Sequence, residues 1–199
     1  MQTIAIIGAG ELGRRWAYRS LRAGYRTILE DVSISALEQG IAAIRGLLEA
    51  DAARDGRGPA AGTRGASSPA ERAIGRLTTA HAVEEAVRDA DLIIETVPDE
   101  LEMKLELFTV FDKFAKPGAL LASTTNIVSI TDLAEMTFCP ERCVGLRFAC
   151  YAGAEQLEIT KGFWTSEETV ARCRGVALRM GLEIRFAPDV QAFSAGGTA

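Results

Sequence analysis

The stretch TIAIIGAGELG, residues 3–13, decides the fold of this chain. Its first residues are apolar and suited to a β-strand, and the glycines behind them lead directly into a helical pattern. Gly8 permits the tight turn from strand to helix, Gly10 lets the backbone approach a pyrophosphate group, and Gly13 lets the helix pack closely on the strand. The stretch therefore predicts a strand, a glycine turn and a helix whose N-terminal N–H groups bind phosphates.

Asp31, at the end of the next predicted strand, YRTILED, adds a second element to this pattern. It lies 23 residues after Gly8, where a carboxylate accepts hydrogen bonds from both hydroxyls of an adenosine ribose. A 2′-phosphate beside Asp31 would meet like charge, so the pattern favours NAD over NADP. Glu11 places a charge near the phosphates that weakens binding unless Arg14 or Arg15 offsets it. A glycine turn that binds nothing stays open as the alternative.

The rest of the sequence continues to alternate between strand and helix patterns. Further strands are predicted in RLTTA (76–80), DLIIETVP (91–98), GALLAST (118–124), RCVGLRF (142–148) and EQLEIT (155–160). Further helices are predicted in SISALEQGIAAIRGLLEA (33–50), with Ser33 as its N-cap, and in residues 82–90, 100–115 and 166–180. This alternation predicts a Rossmann-like, doubly wound α/β fold with a mainly parallel sheet.

Several segments carry more specific expectations. We interpret residues 1–190 as one nucleotide-binding domain and residues 191–199 as a tail. Residues 51–69, DAARDGRGPAAGTRGASSP, are poor in large apolar side chains, and we expect a mobile loop there. Two adjoining apolar stripes on the helix at 100–115 are expected to be largely buried: Leu101, Leu105 and Phe108, and Met103, Leu107, Val110 and Phe114. A buried strand interrupted by Arg147 is expected at Val144, Leu146, Phe148 and Cys150.

Composition and charge narrow the class of protein. With 199 residues, 48% hydrophobic and 25% charged, the chain has the make-up of an ordinary soluble globular protein. A net charge of −5 offers no basic stripe for nucleic acid, and no apolar run reaches the roughly 18 to 20 residues of a membrane span. We therefore expect a cytoplasmic protein without nucleic-acid or membrane partners. The 4 cysteines lack paired metal or redox spacing, so we expect free thiols and no metal site.

Five segments stand in the same order and with similar spacing as in a known family: IAIIGAGELG, LEDVS, the block 89–134, PERCVGLRFA and SEETVARCRGVALRMG. Together they cover about residues 3–190, and they resemble the NAD-binding domain of the 3-hydroxyacyl-CoA dehydrogenases. The resemblance implies NAD as cofactor, oxidation of the CH–OH group of an acyl-CoA or acyl-thioester substrate, and a place in fatty acid metabolism. It also implies cofactor contacts at Gly8, Ala9, Gly10, Glu11, Leu12, Gly13, Asp31, Val97, Asp99, Lys104 and Asn126.

The catalytic positions depart from the family's pattern. A family histidine takes the proton from the substrate hydroxyl as hydride leaves for NAD, and Arg147 stands in its place. Arginine stays protonated at physiological pH, so Arg147 cannot act as that base. The serine that orients the substrate oxygen corresponds to Asn126, and the glutamate that pairs with the histidine corresponds to Glu158. A later asparagine of the family would align near Gly196 and is absent.

Arg147 is open to two interpretations. It either pairs with Glu158 in a bidentate ion pair as a residue that reaches the surface, or it holds a substrate carboxylate or polarises a carbonyl as a fixed cation. We also expect the family's helical second domain, which completes the substrate cleft, to be absent. Three functions therefore stay open: an oxidoreductase completed by a homo- or hetero-oligomeric partner, an NAD-binding module without chemistry, and a decayed product that binds no ligand.

Overall fold

A computed structural model describes residues 1–54 and 68–190 of the chain. Within these residues the strands are β1 (Thr3–Ile7), β2 (Arg26–Glu30), β3 (Leu77–Ala80), β4 (Leu92–Glu95), β5 (Leu120–Ser123), β6 (Cys143–Tyr151), β7 (Ala154–Thr160) and β8 (Glu183–Ala187). The α-helices are α1 (Glu11–Arg22), α2 (Ile34–Arg54), α3 (Pro69–Ile74), α4 (Val83–Val87), α5 (Leu101–Phe114), α6 (Ile130–Glu135) and α7 (Glu167–Arg179). One turn of 3-10 helix lies at Pro140–Arg142.

All of these strands join one sheet in the order β3-β2-β1-β4-β5-β6-β7-β8. The strands from β3 to β6 are parallel, β7 runs antiparallel to β6, and β8 runs parallel to β7. The order reverses between β1 and β4, which is the point where ligands bind at the carboxyl ends of strands in open α/β sheets. The predicted doubly wound, mainly parallel α/β fold is confirmed.

The central strands are buried on both faces, which explains their continuous apolar sequences. Alternate residues of β1 enter opposite layers of the core, because side chains alternate along a strand. Ile4 and Ile6 pack in the layer that contains Trp16 of α1, while Ala5 and Ile7 pack in the layer on the other face. In the first layer the ring of Trp16 lies 4.1 Å from that of Phe148 on β6, so α1 and β6 are packed together beneath the glycine turn.

The predicted loop at 51–69 is wrong at both of its ends. Helix α2 continues to Arg54, because Asp51 is buried and pairs with Tyr18 and Arg22 on α1. At the other end Ser68 caps α3 in a reciprocal capping box with Glu71. The middle of the predicted loop, residues 55–67, lies outside the described residues, and so does the predicted tail at 191–199.

Four other features correct or extend the expectations. Cys150 is exposed, because β6 extends beyond the core as a hairpin with β7. Leu101 and Met103 are 40% and 39% exposed, whereas the buried face of α5 is formed by Lys104, Phe108 and Phe111. Helices α3 and α6 and strand β8 were not among the predicted elements. No helix in the described part of the chain has the length and apolar character needed to cross a membrane.

Candidate cofactor site at the carboxyl edge of the sheet

The glycine turn between β1 and α1 shows why each of its three glycines is needed. Gly8 has a φ of +104°, a backbone conformation that residues with an L side chain rarely adopt. In this conformation its N–H donates to Glu30 O at 2.9 Å. A Cβ atom on Gly13 would lie 1.9 Å from Gly8 O, so only glycine fits where helix and strand meet. A Cβ on Gly10 would meet nothing among the described residues within 4 Å. Gly10 therefore borders open space, as the approach of a phosphate group requires.

The N-terminus of α1 opens into the same space. Gly10 is its N-cap and has no side chain to accept a hydrogen bond, so the first N–H groups of the helix are left for an external acceptor. Glu11 is exposed at this end. The Nε–H of Arg14 donates a hydrogen bond to Ala9 O at 2.8 Å, and Arg15 forms an ion pair with Glu155 on β7. Both arginines that we considered as partners of Glu11 are therefore bound to other groups.

Asp31 connects the glycine turn to the turn that follows β2. Its Oδ2 accepts the Ala9 N–H at 2.8 Å, and its Oδ1 accepts the Ser33 N–H at 2.9 Å. Each carboxylate oxygen has two acceptor sites, so one on each oxygen remains after these backbone bonds. Asp31 is partly exposed and is thus able to accept the two hydroxyls of a ribose. Leu12, by contrast, is partly buried against the core beneath the turn.

Thr96 joins this turn to the loop after β4, and it was not among the predicted site residues. Its N–H donates to Ile7 O at 2.9 Å, and its Oγ1 donates to Ile7 O at 2.8 Å and lies 3.1 Å from Gly8 O. The same oxygen would lie 2.9 Å from a Cβ on Gly13. A hydroxyl residue directly after a buried apolar strand was the available signal. Thr96 therefore occupies the space that the glycines leave on the protein side of the turn.

Glu95 and Lys104 form a fully buried ion pair beneath the loop after β4. Both side chains have 0% exposure, and Lys104 Nζ lies 2.8 and 2.7 Å from the two carboxylate oxygens. Burial raises the pKa of Glu95, while the positive charge of Lys104 opposes this rise. Lys104 also reaches Val97 O at 3.2 Å and Asp99 Oδ1 at 3.1 Å. Lys104 therefore contacts both of the other predicted cofactor residues of this segment, Val97 and Asp99, but it has no exposed surface.

Arg147 on β6 lies directly opposite Glu158 on β7. Its Nε donates to Glu158 Oε1 at 3.1 Å, and its Nη2 donates to the same oxygen. The predicted ion pair is present, but it is not bidentate, because both N–H groups share one carboxylate oxygen. The other oxygen, Oε2, faces Arg185 Nε on β8 at 3.9 Å. The Glu158 side chain is 9% exposed and that of Arg147 is 37% exposed, so the guanidinium reaches the surface from a buried partner.

A small cavity of about 60 Å³ brings the three predicted catalytic positions together. Asn126, Arg147 and Glu158 line it, with Asn126 exposed. Asp189 also lines the cavity, and its carboxylate accepts hydrogen bonds from the backbone N–H groups of Ile130 and Thr131 at 2.9 and 3.0 Å. Asp189 thus fixes the segment after β8 against α6. Gly196, where the family has an asparagine, lies outside the described residues.

The cavity contains no histidine that could accept a proton. The single histidine of the chain, His81, follows β3, and four strands separate β3 from β6 in the sheet. Glu158 is paired with Arg147, and its second carboxylate oxygen lies 3.9 Å from Arg185 Nε. The four cysteines are free, and burial raises the pKa of Cys139, Cys143 and Cys173 to about 12. Neither a histidine nor a cysteine is among the described residues that line this cavity.

Known proteins resemble the chain over nearly all of its length. The family described as "3-hydroxyacyl-CoA dehydrogenase, NAD binding domain" matches residues 3–184. A 3-hydroxybutyryl-CoA dehydrogenase of Bradyrhizobium diazoefficiens is 30% identical over 194 residues, which are 97% of this chain and 63% of that protein. An L-carnitine dehydrogenase of a Pseudomonas species is 32% identical over 183 residues, which are 92% of this chain and 53% of that protein.

The same likeness appears among solved structures. A 3-hydroxybutyryl-CoA dehydrogenase from Escherichia coli K12 superimposes with a TM-score of 0.82 at 28% identity, covering 96% of this chain and 39% of that one. The chain spans 63% of the length of the Bradyrhizobium protein and 60% of that of a relative from Bacillus subtilis described as a probable 3-hydroxybutyryl-CoA dehydrogenase. The shared part is the nucleotide-binding fold described above.

Proposed function

The chain belongs to the family of 3-hydroxyacyl-CoA dehydrogenase NAD-binding domains, and from this membership we propose that it binds the cofactor of an NAD-dependent oxidoreductase. In this proposal residues 1–190 form the domain that holds NAD along the carboxyl edge of β1, β2 and β4. The substrate class is a hydroxyacyl-CoA or related acyl thioester, oxidised at its CH–OH group in fatty acid metabolism. A homo- or hetero-oligomeric partner and a cytoplasmic location are parts of the same proposal.

The glycine turn carries this proposal. Gly8 and Gly13 are explained by backbone conformation and packing, but Gly10 has no such internal reason, because its Cβ position is open. A glycine that borders free space at the N-terminus of a long helix fits the approach of a pyrophosphate. Asp31 lies beside it and retains free acceptor sites for a ribose. The glycine turn and the carboxylate together match the pyrophosphate and the ribose of an adenosine diphosphate.

The chemistry at the other end of the site is incomplete. Oxidation of an alcohol by NAD moves a hydride to the nicotinamide and releases the hydroxyl proton to a base. Arg147 stays charged and cannot accept that proton, although its guanidinium can hold a carbonyl or carboxylate oxygen. Asn126 can orient a substrate oxygen through its amide. The chain therefore supplies cofactor binding and a fixed positive charge, and the proton must leave to water or to a group on a partner.

The ion pair of Arg147 with Glu158 favours a second candidate function. Two N–H groups of Arg147 are bound to a nearly buried carboxylate and are thereby withdrawn from a substrate oxygen. The alternative is therefore an NAD-binding module or subunit without dehydrogenase activity. Steady formation of NADH from 3-hydroxybutyryl-CoA by the purified chain would exclude this alternative. Absence of turnover over a panel of hydroxyacyl-CoA compounds, with retained NAD binding, would favour it over the dehydrogenase.

A pair of glycine variants tests the cofactor proposal. Gly10→Ala and Gly46→Ala each add a Cβ that meets nothing among the described residues within 4 Å, so both variants should fold. Gly10→Ala places its methyl group where the pyrophosphate would lie, and we expect NAD affinity to fall by about tenfold or more in calorimetric titration. Gly46→Ala, within α2, should bind as the unmodified chain does. Equal affinity of both variants, or no binding of NAD or NADH by the unmodified chain, would overturn the proposal.

A further inference from the structure

A phenylalanine far from the nucleotide site projects from the surface on a fixed backbone. Phe138 follows α6 and is 99% exposed. The residues on either side of it are held in place, because the Thr137 hydroxyl donates to Ala134 O at 2.8 Å and accepts the Cys139 N–H at 3.3 Å. Cys139 itself is buried. An exposed aromatic ring on a fixed support loses little conformational entropy when it binds, which makes it well suited to anchor an interface.

A groove of about 320 Å³ lies beside this ring. Its lining includes three almost fully buried side chains, Phe111 of α5, Leu121 of β5 and Cys139. Phe138 and the exposed Pro117 also border it. Helix α5 ends and β5 begins at this place, so the groove lies at the amino edge of the sheet, opposite to the carboxyl edge with the glycine turn. An occupant of the groove therefore leaves the nucleotide site open.

The groove and the segment that leads to the ring differ in charge. Lys116 and Arg142 line the groove and are partly exposed. Asp112 lines it as well, but its carboxylate accepts a hydrogen bond from a buried thiol at 3.1 Å. Glu135 is exposed at the end of α6, three residues before Phe138. The projecting ring thus has a carboxylate near it, while the recess has two cations.

We propose that this surface is an interface between two copies of the chain, in which Phe138 of each copy lies in the groove of the other. A projection and a recess on the same patch are self-complementary, as a two-fold interface requires. The same two-fold axis brings Glu135 of each copy towards Lys116 and Arg142 of the other, so the charges match. The inference goes beyond the proposed function, because the groove and the nucleotide site lie at opposite edges of the sheet.

The size of the patch predicts a weak and reversible dimer. A buried aromatic side chain removes about 150–250 Å² from water, so two reciprocal Phe138 rings supply roughly 300–500 Å². A stable specific interface buries at least about 1,200 Å² in total. The exposed Met136 adds to this area, but both cations of the groove already have acidic partners in their own chain. We therefore expect a dissociation constant in the micromolar range.

Sedimentation velocity of the unmodified chain tests the interface. The chain should change from monomer to dimer between about 1 and 200 µM. Phe138→Ser should remain monomeric over this range, which corresponds to a loss of association of about tenfold or more. Its melting temperature should equal that of the unmodified chain at low concentration, because the ring is exposed in the single copy. Phe163→Ser is the matched control, since Phe163 is exposed in the loop after β7, and this variant should dimerise normally.

Two further measurements test the arrangement of the interface. Glu135→Lys places a positive charge towards Lys116 and Arg142, so association should weaken by about threefold or more at low salt and by less at high salt. Amide hydrogen exchange is compared at concentrations below and above the dissociation constant. Residues 111–118 and 136–142 should become protected at high concentration, while those of α1 should not change. If Phe138→Ser does not fold, these two measurements decide the proposal.

The contrary outcomes are equally specific. A chain that stays monomeric throughout the concentration range would overturn the proposal and leave the groove to a partner of different sequence. A dimer that persists in Phe138→Ser and is lost in Phe163→Ser would contradict it, because the interface would then lie at the aromatic pair of Phe163 and Trp164. Titration with NAD is a separate readout, and Phe138→Ser should bind NAD as the unmodified chain does. A chain that dimerises through Phe138 without binding NAD would retain this inference and refute the proposed function.

Discussion

Glu30 provides the sharpest prediction about stability. It ends β2, its side chain is 2% exposed, and its Oε1 has no hydrogen-bond partner within residues 1–54 and 68–190. Burial, together with the negative charges of Asp31 and Glu84, raises the pKa of Glu30 from the ordinary 4.5 to about 7. Each pH unit is worth about 1.36 kcal/mol, so ionising Glu30 in the folded chain costs about 3 kcal/mol more than in the unfolded chain.

The sign of the pH dependence follows from this raised pKa. Between about pH 4.5 and pH 7 the folded chain holds a proton on Glu30 that the unfolded chain has released. The contribution of Glu30 to stability is therefore fully present at low pH and is lost as the pH rises towards 7. Glu30→Gln keeps a neutral amide at every pH. It should gain about 3 kcal/mol over the unmodified chain at pH 8, and almost nothing below pH 4.5.

Urea unfolding followed by tryptophan fluorescence measures this difference, because Trp16 is fully buried in the core. The free energies of unfolding of both proteins are compared at several pH values between about 4 and 8. Glu49→Gln, at an exposed position of α2, is the control and should show no pH-dependent difference. A constant difference between Glu30→Gln and the unmodified chain across this range would refute the reasoning. A lower stability of the variant at high pH would refute it as well.

Two other predictions concern the ligand site. Glu11→Gln removes an exposed charge at the phosphate end of α1, and calorimetric titration should show NAD affinity rising by about two- to fivefold at low salt, with a smaller gain at high salt. An unchanged affinity at low salt would mean that Glu11 does not face the phosphates. Arg147→His should not produce measurable NADH from 3-hydroxybutyryl-CoA, because Asn126 is retained and Glu158 still faces Arg185. Substantial turnover by this single variant would show that the rest of the site is competent.

Local sequence patterns correctly predicted the strand, the glycine turn and the helix at residues 3–22. The glycine turn could be predicted because each glycine is required by the geometry of a neighbouring strand, turn or helix. Asp31 could be placed because it stands at the end of the next predicted strand. The alternation of strands and helices gave the correct fold class for the same reason. Arg147 and Glu158 could be paired because the resemblance placed them at the positions of the family's histidine and its partner glutamate, and the structure shows them opposite each other on β6 and β7. The prediction of a loop at residues 51–69 rested on composition alone. It was wrong at both ends, where side-chain contacts extend α2 and cap α3.

The tertiary structure decided which charges are buried and what they hold. Nothing local predicts that Lys104, in the polar pattern of α5, is fully enclosed, because its partner Glu95 lies on a strand and the fold alone brings the two together. Asp51 likewise extends α2 because Tyr18 and Arg22 on α1 meet it. The sequence by itself determined the backbone path and the nucleotide turn, since these depend on glycine sterics and apolar periodicity. Long-range pairing determined the buried charge network, since the cost of burying a charge is offset only by partners that folding brings into contact.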